Sequence, residues 1–149
     1  MDNIDRKLLD LLAENARTSL KQLAEQVFLS SPAVSARIEH LEKQGILKGY
    51  TTRLDGEKLG LPVAAYIYLD VAAGGRDQAL TLIEECANVV ECDCITGNYA
   101  LLIKAAFADT QQLDGFVRQL QKFGKTHTEL VFSTPVERRA PKLAFEEEV

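Results

Sequence analysis

Apolar residues recur at helical spacing through the first third of the chain. Ile4, Leu8, Leu11 and Leu12 form one stripe of the kind that a surface helix buries. Two shorter stripes follow, made of Leu20, Leu23, Ala24 and Val27 and then of Val34, Ile38 and Leu41. The pattern predicts three short helices within residues 3–45, with Gly45 ending the third.

The starts of the second and third helices carry capping signals. Residues 19–22, Ser-Leu-Lys-Gln, match a capping box, in which Ser and Gln satisfy each other's backbone amides. Ser31-Pro32 places a capping hydroxyl before a proline at the first helical position. Only residues 28–30 separate the two helices, so the pair is typical of a helix-turn-helix, whose second helix enters the DNA major groove.

This interpretation assigns DNA-binding residues to the outer side and start of the third helix. Small side chains there let the backbone approach the groove, and Arg37 can reach a guanine edge or a phosphate. Ser30, Ser31 and the helix N-terminus suit a phosphate. The predicted set is Lys21, Ser30, Ser31, Ala33, Ser35, Ala36, Arg37 and His40. The residues alone equally allow a plain three-helix bundle with a solvated polar face. A lone histidine on an exposed helix, such as His40, is more often solvated than in contact with a base.

Residues 46–54 are rich in β-forming types and are predicted either as a wing beside the third helix or as a strand linking two domains. The polar, glycine-bearing stretch at residues 55–60 is the predicted domain boundary. The chain is thus divided into residues 1–60 and residues 61–149.

The remaining two-thirds alternates strand and helix patterns in the order strand, helix, strand, strand, helix, strand. Residues 63–71 alternate with period two, Gly97-Asn98 predicts a two-residue hairpin, and residues 127–134 form the expected last strand. This βαββαβ order is that of a ferredoxin-like domain, which gives an α+β fold class overall. Its helices cover one sheet face. The other face carries Tyr66 and Tyr68 and is expected to meet a second copy in a homodimer.

Charge is unevenly spread along an acidic chain of 149 residues with net charge −5. The segment from Arg17 to Arg53 holds six basic and three acidic residues, and such a locally basic module can bind DNA within an acidic protein. No apolar run is long enough to span a membrane, and the acidic N-terminus is not of the signal-peptide type, so we expect a cytoplasmic protein.

Other chemistry is poorly represented. Cys86, Cys92 and Cys94 show no CxxC spacing, so we expect packing roles rather than a metal site or disulfides. The two histidines, His40 and His127, fall in different domains, and no phosphate-binding glycine loop or catalytic constellation is visible. The sequence predicts neither an enzyme nor a cofactor.

Several runs, taken in order, resemble the Lrp/AsnC family of feast/famine regulators. They are residues 5–9, Leu23-Ala24, Leu29-Ser30, Val34 with Arg37, residues 41–50, Leu59-Gly60, Cys92, residues 96–99 and Leu101-Leu102. The resemblance covers nearly the whole chain. It implies a winged helix-turn-helix spanning Leu20 to Glu39 and a βαββαβ domain whose dimers often assemble further, commonly into octamers.

The resemblance also implies an amino-acid effector bound between neighbouring domains. The implied residues are Thr96, Gly97, Asn98 and Tyr99, together with Phe132, Ser133 and Thr134. Many members read Gly-Asp/Glu-Tyr/Phe-Asp at this loop, whereas residues 97–100 here read Gly-Asn-Tyr-Ala. An acidic side chain could hold the effector's ammonium group more strongly than Asn98. A tight turn without a ligand is the alternative for this loop.

The resulting hypothesis is a sequence-specific transcriptional regulator that binds double-stranded DNA as a homo-oligomer and responds to an amino acid. One alternative is an effector-independent architectural DNA-binding protein of the same family. Another is a small-molecule-binding regulatory subunit whose N-terminal helices dock on a protein partner.

Overall fold

A computed structural model describes residues 1–142, which form two compact units. The first is Met1–Arg53 together with the described chain from Val136 onward, and the second is Leu54–Pro135. The division after Arg53 precedes the predicted boundary at residue 60. No sequence signal indicated that the chain from Val136 groups with the first unit.

The first unit contains three helices, α1 (Asn3–Glu14), α2 (Leu20–Val27) and α3 (Ser31–Lys43). The predicted capping box at the start of α2 is confirmed, with Ser19 and Gln22 bonding each other's backbone amides. Helix α3 begins one residue earlier than predicted. Ser30 is its N-cap, so Ser31 is the first helical residue and Pro32 the second.

The core of the first unit lies where the three helices meet. Its fully buried side chains come one or two from each helix, with Leu8 from α1, Leu23 from α2, and Val34 and Leu41 from α3. Leu20 does not join them, because it is the first residue of α2 and is 42% exposed. The inner face of α2 therefore begins at Leu23.

The β structure expected at residues 46–54 is not formed. The chain bends at residues 46–47 and is unpaired at residues 48–54, and among residues 1–62 the structure describes no strand that could act as a wing. The amides of Ile46 and Leu47 both donate to the carbonyl of Leu41, so the chain folds back against the end of α3. The amides of Ile46 and Leu47 are therefore bonded to the end of α3 and cannot pair in a wing strand.

The second unit has the predicted βαββαβ order. Its elements are β1 (Val63–Val71), α4 (Arg76–Glu85), β2 (Val89–Cys94), β3 (Leu101–Phe107), α5 (Thr110–Leu120) and β4 (Gly124–Leu130). The four strands form an antiparallel sheet in the order β2-β3-β1-β4. The ferredoxin-like topology and the α+β class are confirmed.

The two faces of this sheet differ in burial. Ala65, Ile67 and Leu69 of β1 are fully buried in the core cluster that also includes α4 and α5 side chains. The opposite face carries Tyr66 and Tyr68, which are partly exposed, as expected from the alternation. Helices therefore cover one face of the sheet.

Strand β4 is displaced from its predicted position at residues 127–134. It begins at Gly124, where β4 runs so close to β1 that a Cβ would overlap the backbone carbonyl of Asp70. It ends at Leu130, which pairs with Ala65 near the start of β1. Phe132, Ser133 and Thr134 accordingly lie beyond the strand, because β1 has almost no partner residues left for them.

The connection from β2 to β3 is longer than the predicted two-residue hairpin. It spans residues 95–100 and is closed by a 3.0 Å hydrogen bond from the amide of Ile95 to the carbonyl of Ala100. Gly97 has a φ of 108°, a conformation that favours glycine. Tyr99, which a two-residue hairpin at Gly97-Asn98 would have placed at the start of the third strand, lies in this loop.

Candidate DNA interface and effector loop

The outward side of α3 presents a continuous exposed stripe opposite its buried residues. Its members recur at helical spacing and are Pro32, Ala36, Glu39, His40 and Lys43, all exposed. Ala36 and His40 were predicted to face DNA, and the structure places both here. Ala33 and Ser35, also predicted, are half-buried at the edges of the stripe. A stripe with a methyl group near its centre lets a helix backbone come close to base edges.

The start of α3 offers a restricted set of phosphate donors. Pro32 has no amide proton, and the amide of Ala33 donates to the hydroxyl oxygen of Ser30 at 3.4 Å. The amide of Val34 donates to the carbonyl of Ser30 at 3.0 Å. The amide and hydroxyl of Ser31 and the hydroxyl proton of Ser30 therefore remain as donors that a phosphate could use at this helix end. The exposed Lys21 of α2 supplies a cation from the first helix of the motif.

Arg37 is engaged within the first unit rather than extended towards solvent. Its Nη1 atom lies 2.7 Å from Asp2 Oδ2 and 2.7 Å from Asp5 Oδ1. The Asp5 side chain is 13% exposed, and that of Asp2 is 54% exposed. Hydrogen bonds from the amide of Asp5 and from Arg37 lower the pKa of Asp2 below its usual 3.8, and the amide of Asp5 contributes most. Arg37 thus ties α3 to the start of α1, which differs from its predicted role at a base edge or phosphate.

Two exposed residues of this region escaped the sequence interpretation. Glu39 lies on the α3 stripe and accepts a 3.4 Å hydrogen bond from Ser35 Oγ. Its carboxylate would repel phosphates but can accept from the N4 amino group of cytosine. Its spacing of three from Ala36 could have revealed it. Phe28, the αL cap of α2, is 93% exposed, and nothing in the pattern indicates an aromatic residue in that conformation.

The predicted effector loop lies beside an aromatic cluster, which we define as Tyr68, Tyr99 and His127. The ring centroid of Tyr68 lies 5.4 Å from that of Tyr99 and 5.6 Å from that of His127. His127 Nε2 is 3.2 Å from a carboxylate oxygen of Glu129. The charge of that carboxylate is the main cause of a raised Tyr68 pKa. The rings contact one another, so Tyr99 connects the loop to the sheet face that the helices leave uncovered.

The two groups of predicted effector residues lie at opposite ends of this sheet. The loop is bonded to the end of β1, where the amide of Ala100 donates to the carbonyl of Leu69 at 3.0 Å. The other group follows β4 next to the start of β1, where the amide of Val131 donates to the carbonyl of Ala64. These anchors are five positions apart along β1, a distance of about 17 Å. One copy of the chain does not bring the two groups together.

Comparison with known proteins identifies both units. Residues 1–42 match the AsnC-type helix-turn-helix domain, and residues 64–141 match the Lrp/AsnC ligand-binding domain. The chain belongs to the Lrp/AsnC family. It is therefore a helix-turn-helix transcriptional regulator that binds DNA, with a domain of the family's ligand-binding type. The sequence-based prediction of a regulator rather than an enzyme is confirmed by its relatives.

Individual relatives support this assignment along most of the chain. The Bacillus subtilis regulator LrpC is 29% identical over 133 residues, covering 89% of this chain and 92% of LrpC. Its solved structure has a TM-score of 0.87 and covers 93% of this chain and 99% of the solved one. The Escherichia coli transcriptional activator DecR is 33% identical over 80% of this chain and 81% of DecR.

A Neisseria meningitidis regulator solved in complex with L-Met is a further structural relative. It is 25% identical, has a TM-score of 0.87, and covers 97% of this chain and 96% of the solved one. Within the described residues of the present chain, no helix is long and apolar enough to cross a membrane.

Proposed function

We propose that this regulator recognises a specific DNA sequence through the exposed stripe of α3. The observation that supports the proposal is the arrangement of that stripe, in which Ala36 permits close approach while Glu39, His40 and Lys43 supply polar groups around it. Lys21, Ser30 and Ser31 would hold backbone phosphates and set the register of the helix in the groove.

We propose that the protein acts as a homodimer formed through the uncovered sheet face. Tyr66, Tyr68 and Leu102 lie on this face and are partly buried in the single chain, so a second sheet would bury more apolar surface. Two-fold symmetry would place two α3 helices for a pseudopalindromic site with half-sites about 34 Å apart. Further assembly, up to the octamer common in the family, is part of this proposal.

An amino acid is the proposed effector, in a site shared between copies. Residues 96–99 and residues 132–134 are anchored to β1 at points about 17 Å apart within one chain, so we expect different copies to supply the two groups that line one site. The L-Met complex of the Neisseria relative supports an amino acid as ligand. Because Asn98 is neutral, we expect its hold on the ammonium group to be weaker than that of a carboxylate.

The DNA proposal is tested by fluorescence anisotropy with a duplex from upstream of the protein's own gene and a shuffled duplex of equal composition. We expect tighter binding to the upstream duplex by about 10³-fold or more, and affinity that falls steeply with salt. Equal affinity for both duplexes would contradict sequence recognition and favour the architectural role. Absence of binding to either at physiological salt would favour the regulatory subunit.

The effector proposal is tested by thermal-shift measurements with each of the twenty amino acids at millimolar concentration. We expect one or a few to raise the unfolding temperature, since a ligand stabilises the state it binds. Asn98→Asp should strengthen the response. A flat panel for both proteins would indicate that this member works without an amino-acid effector.

A further inference from the structure

A groove of about 410 Å³ runs between α4 and α5 on the helix-covered side of the second unit. Its apolar lining includes Leu82 of α4, Phe107 of β3 and Phe116 of α5, and the two phenylalanine rings lie 5.8 Å apart between centroids. The groove is open to solvent, and its volume falls within the range of small-molecule sites. The groove shares no residue with the aromatic cluster or with residues 95–100.

The polar groups of this groove favour a ligand that donates hydrogen bonds. The side-chain amide of Asn88 donates to the carbonyl of Ala106 at 2.7 Å, which leaves its oxygen as an acceptor. Glu85 contributes a carboxylate at the rim. Gln112 and Gln119 can donate or accept, and none of the lining residues in the described chain is a lysine or an arginine. An anion would therefore meet no countercharge, whereas an ammonium group would meet Glu85.

The groove is also lined by Gly115, a glycine that the described fold does not otherwise require. It lies in the middle of α5, where glycine is a poor helix former compared with alanine. Its φ is not left-handed, and a Cβ at this position would meet no atom within 4 Å. The described fold therefore does not require glycine here. Its missing side chain widens the groove that it lines.

The geometry points to a binding site for a small primary ammonium compound with an apolar or aromatic body, seated between α4 and α5. The body lies against Leu82 and Gly115, over the almost fully buried rings of Phe107 and Phe116, and the ammonium group binds Glu85 and the oxygen of Asn88. Such a ligand would act on the second unit independently of the effector loop.

The test is calorimetric titration of the full chain with 2-phenylethylammonium, up to about 10 mM, so that millimolar dissociation constants are measurable. Because its length is matched but its charge is opposite, 3-phenylpropanoate is the control ligand. We expect saturable binding of the ammonium compound only. Glu85→Gln should weaken it about three- to five-fold, the effect of losing one exposed ion pair. Glu84→Gln, a neighbouring exposed residue outside the groove, should leave binding unchanged.

A second variant separates binding from folding. Gly115→Leu fills the groove from an open helical position, so we expect it to abolish binding while the unfolding temperature stays equal or rises. Equal binding of the two ligands, equal effects of the two glutamate variants, or full binding by Gly115→Leu would each overturn the proposal. A change in oligomeric state caused by Gly115→Leu would also overturn it, because a second copy would then be the occupant of the groove.

Discussion

Replacing Arg37 with methionine distinguishes a structural role for this residue from a direct role in base recognition. The substitution keeps an unbranched apolar stem but removes the guanidinium that bonds Asp2 and Asp5. If the ion pairs are the main role of Arg37, the substitution lowers the stability of the first unit. If Arg37 reads a base, the loss falls on DNA affinity alone.

The expected destabilisation can be worked out from the exposure of the two carboxylates. The Asp5 side chain is 13% exposed, so its bond to Arg37 has the strength of a charge-assisted contact away from solvent, about 1.5–3 kcal/mol. The Asp2 side chain is 54% exposed, and solvent screening reduces its contribution to about 0.2–1 kcal/mol. We therefore expect Arg37→Met to lower the free energy of unfolding by about 2–4 kcal/mol.

Urea unfolding of the full chain, followed by circular dichroism, measures this change, since the three helices of the first unit contain more residues than the two helices of the second. Asp5→Asn in the wild-type and Arg37→Met backgrounds completes a double-mutant cycle, whose coupling energy we expect to be about 1–2 kcal/mol. Anisotropy with the same proteins below the unfolding transition gives the DNA affinity.

One outcome would refute this reasoning. If Arg37→Met unfolds at the wild-type urea concentration while its DNA affinity falls by about 1–3 kcal/mol, then Arg37 contacts a base and the ion pairs contribute nothing measurable. Lys21→Met is the matched control, because it removes an exposed cation of the same motif that has no ion pair among the described residues. It should change stability by less than about 0.5 kcal/mol.

The pKa of Asp2 is depressed below 3.8, so its stabilising contribution is complete above about pH 5 and is lost as the pH falls through the lowered pKa. Arg37→Met removes one cause of that depression, so its urea midpoint should decrease less on acidification than that of the wild type. Gly124→Ala should destabilise the second unit by about 3 kcal/mol or more in thermal melts, whereas Gly115→Ala, an open helical position, should stabilise it by about 0.5–1 kcal/mol. Lys43→Ala should reduce the salt slope of DNA binding by about 0.9 if that lysine holds one phosphate, and an unchanged slope would place it away from the backbone.

The helices and strands were predictable where burial alone determines the pattern. The alternation of residues 63–71 gave β1 correctly, and the stripes of residues 4–12 and 34–41 gave α1 and α3. Strand β4 was misplaced, because its start depends on close contact between Gly124 and the Asp70 carbonyl, which is a pairing between distant segments. The sequence near Gly124 alone cannot reveal such a contact.

For the candidate sites too, the sequence predicts the face on which a side chain lies but not its contacts with distant segments. Helical spacing placed Ala36 and His40 on the outer side of α3, as the structure has them. Spacing could not show that Arg37 would meet Asp2, since that ion pair depends on how α1 and α3 pack. Likewise, residues 96–99 and 132–134 can be named from a family resemblance, but their separation along the sheet appears only once the strand register is known.

The strength of its ion pairs, compared with that of a base contact, decides whether Arg37 leaves its carboxylates when DNA binds. Release would forfeit about 2–4 kcal/mol of ion pairing, and a bidentate contact with guanine would return about 1–3 kcal/mol. The exchange has no net driving force, so Arg37 should remain bonded to Asp2 and Asp5 in the complex. Base discrimination would then fall to the exposed stripe of α3, where Glu39 and His40 provide the hydrogen-bonding groups and Ala36 the close contact.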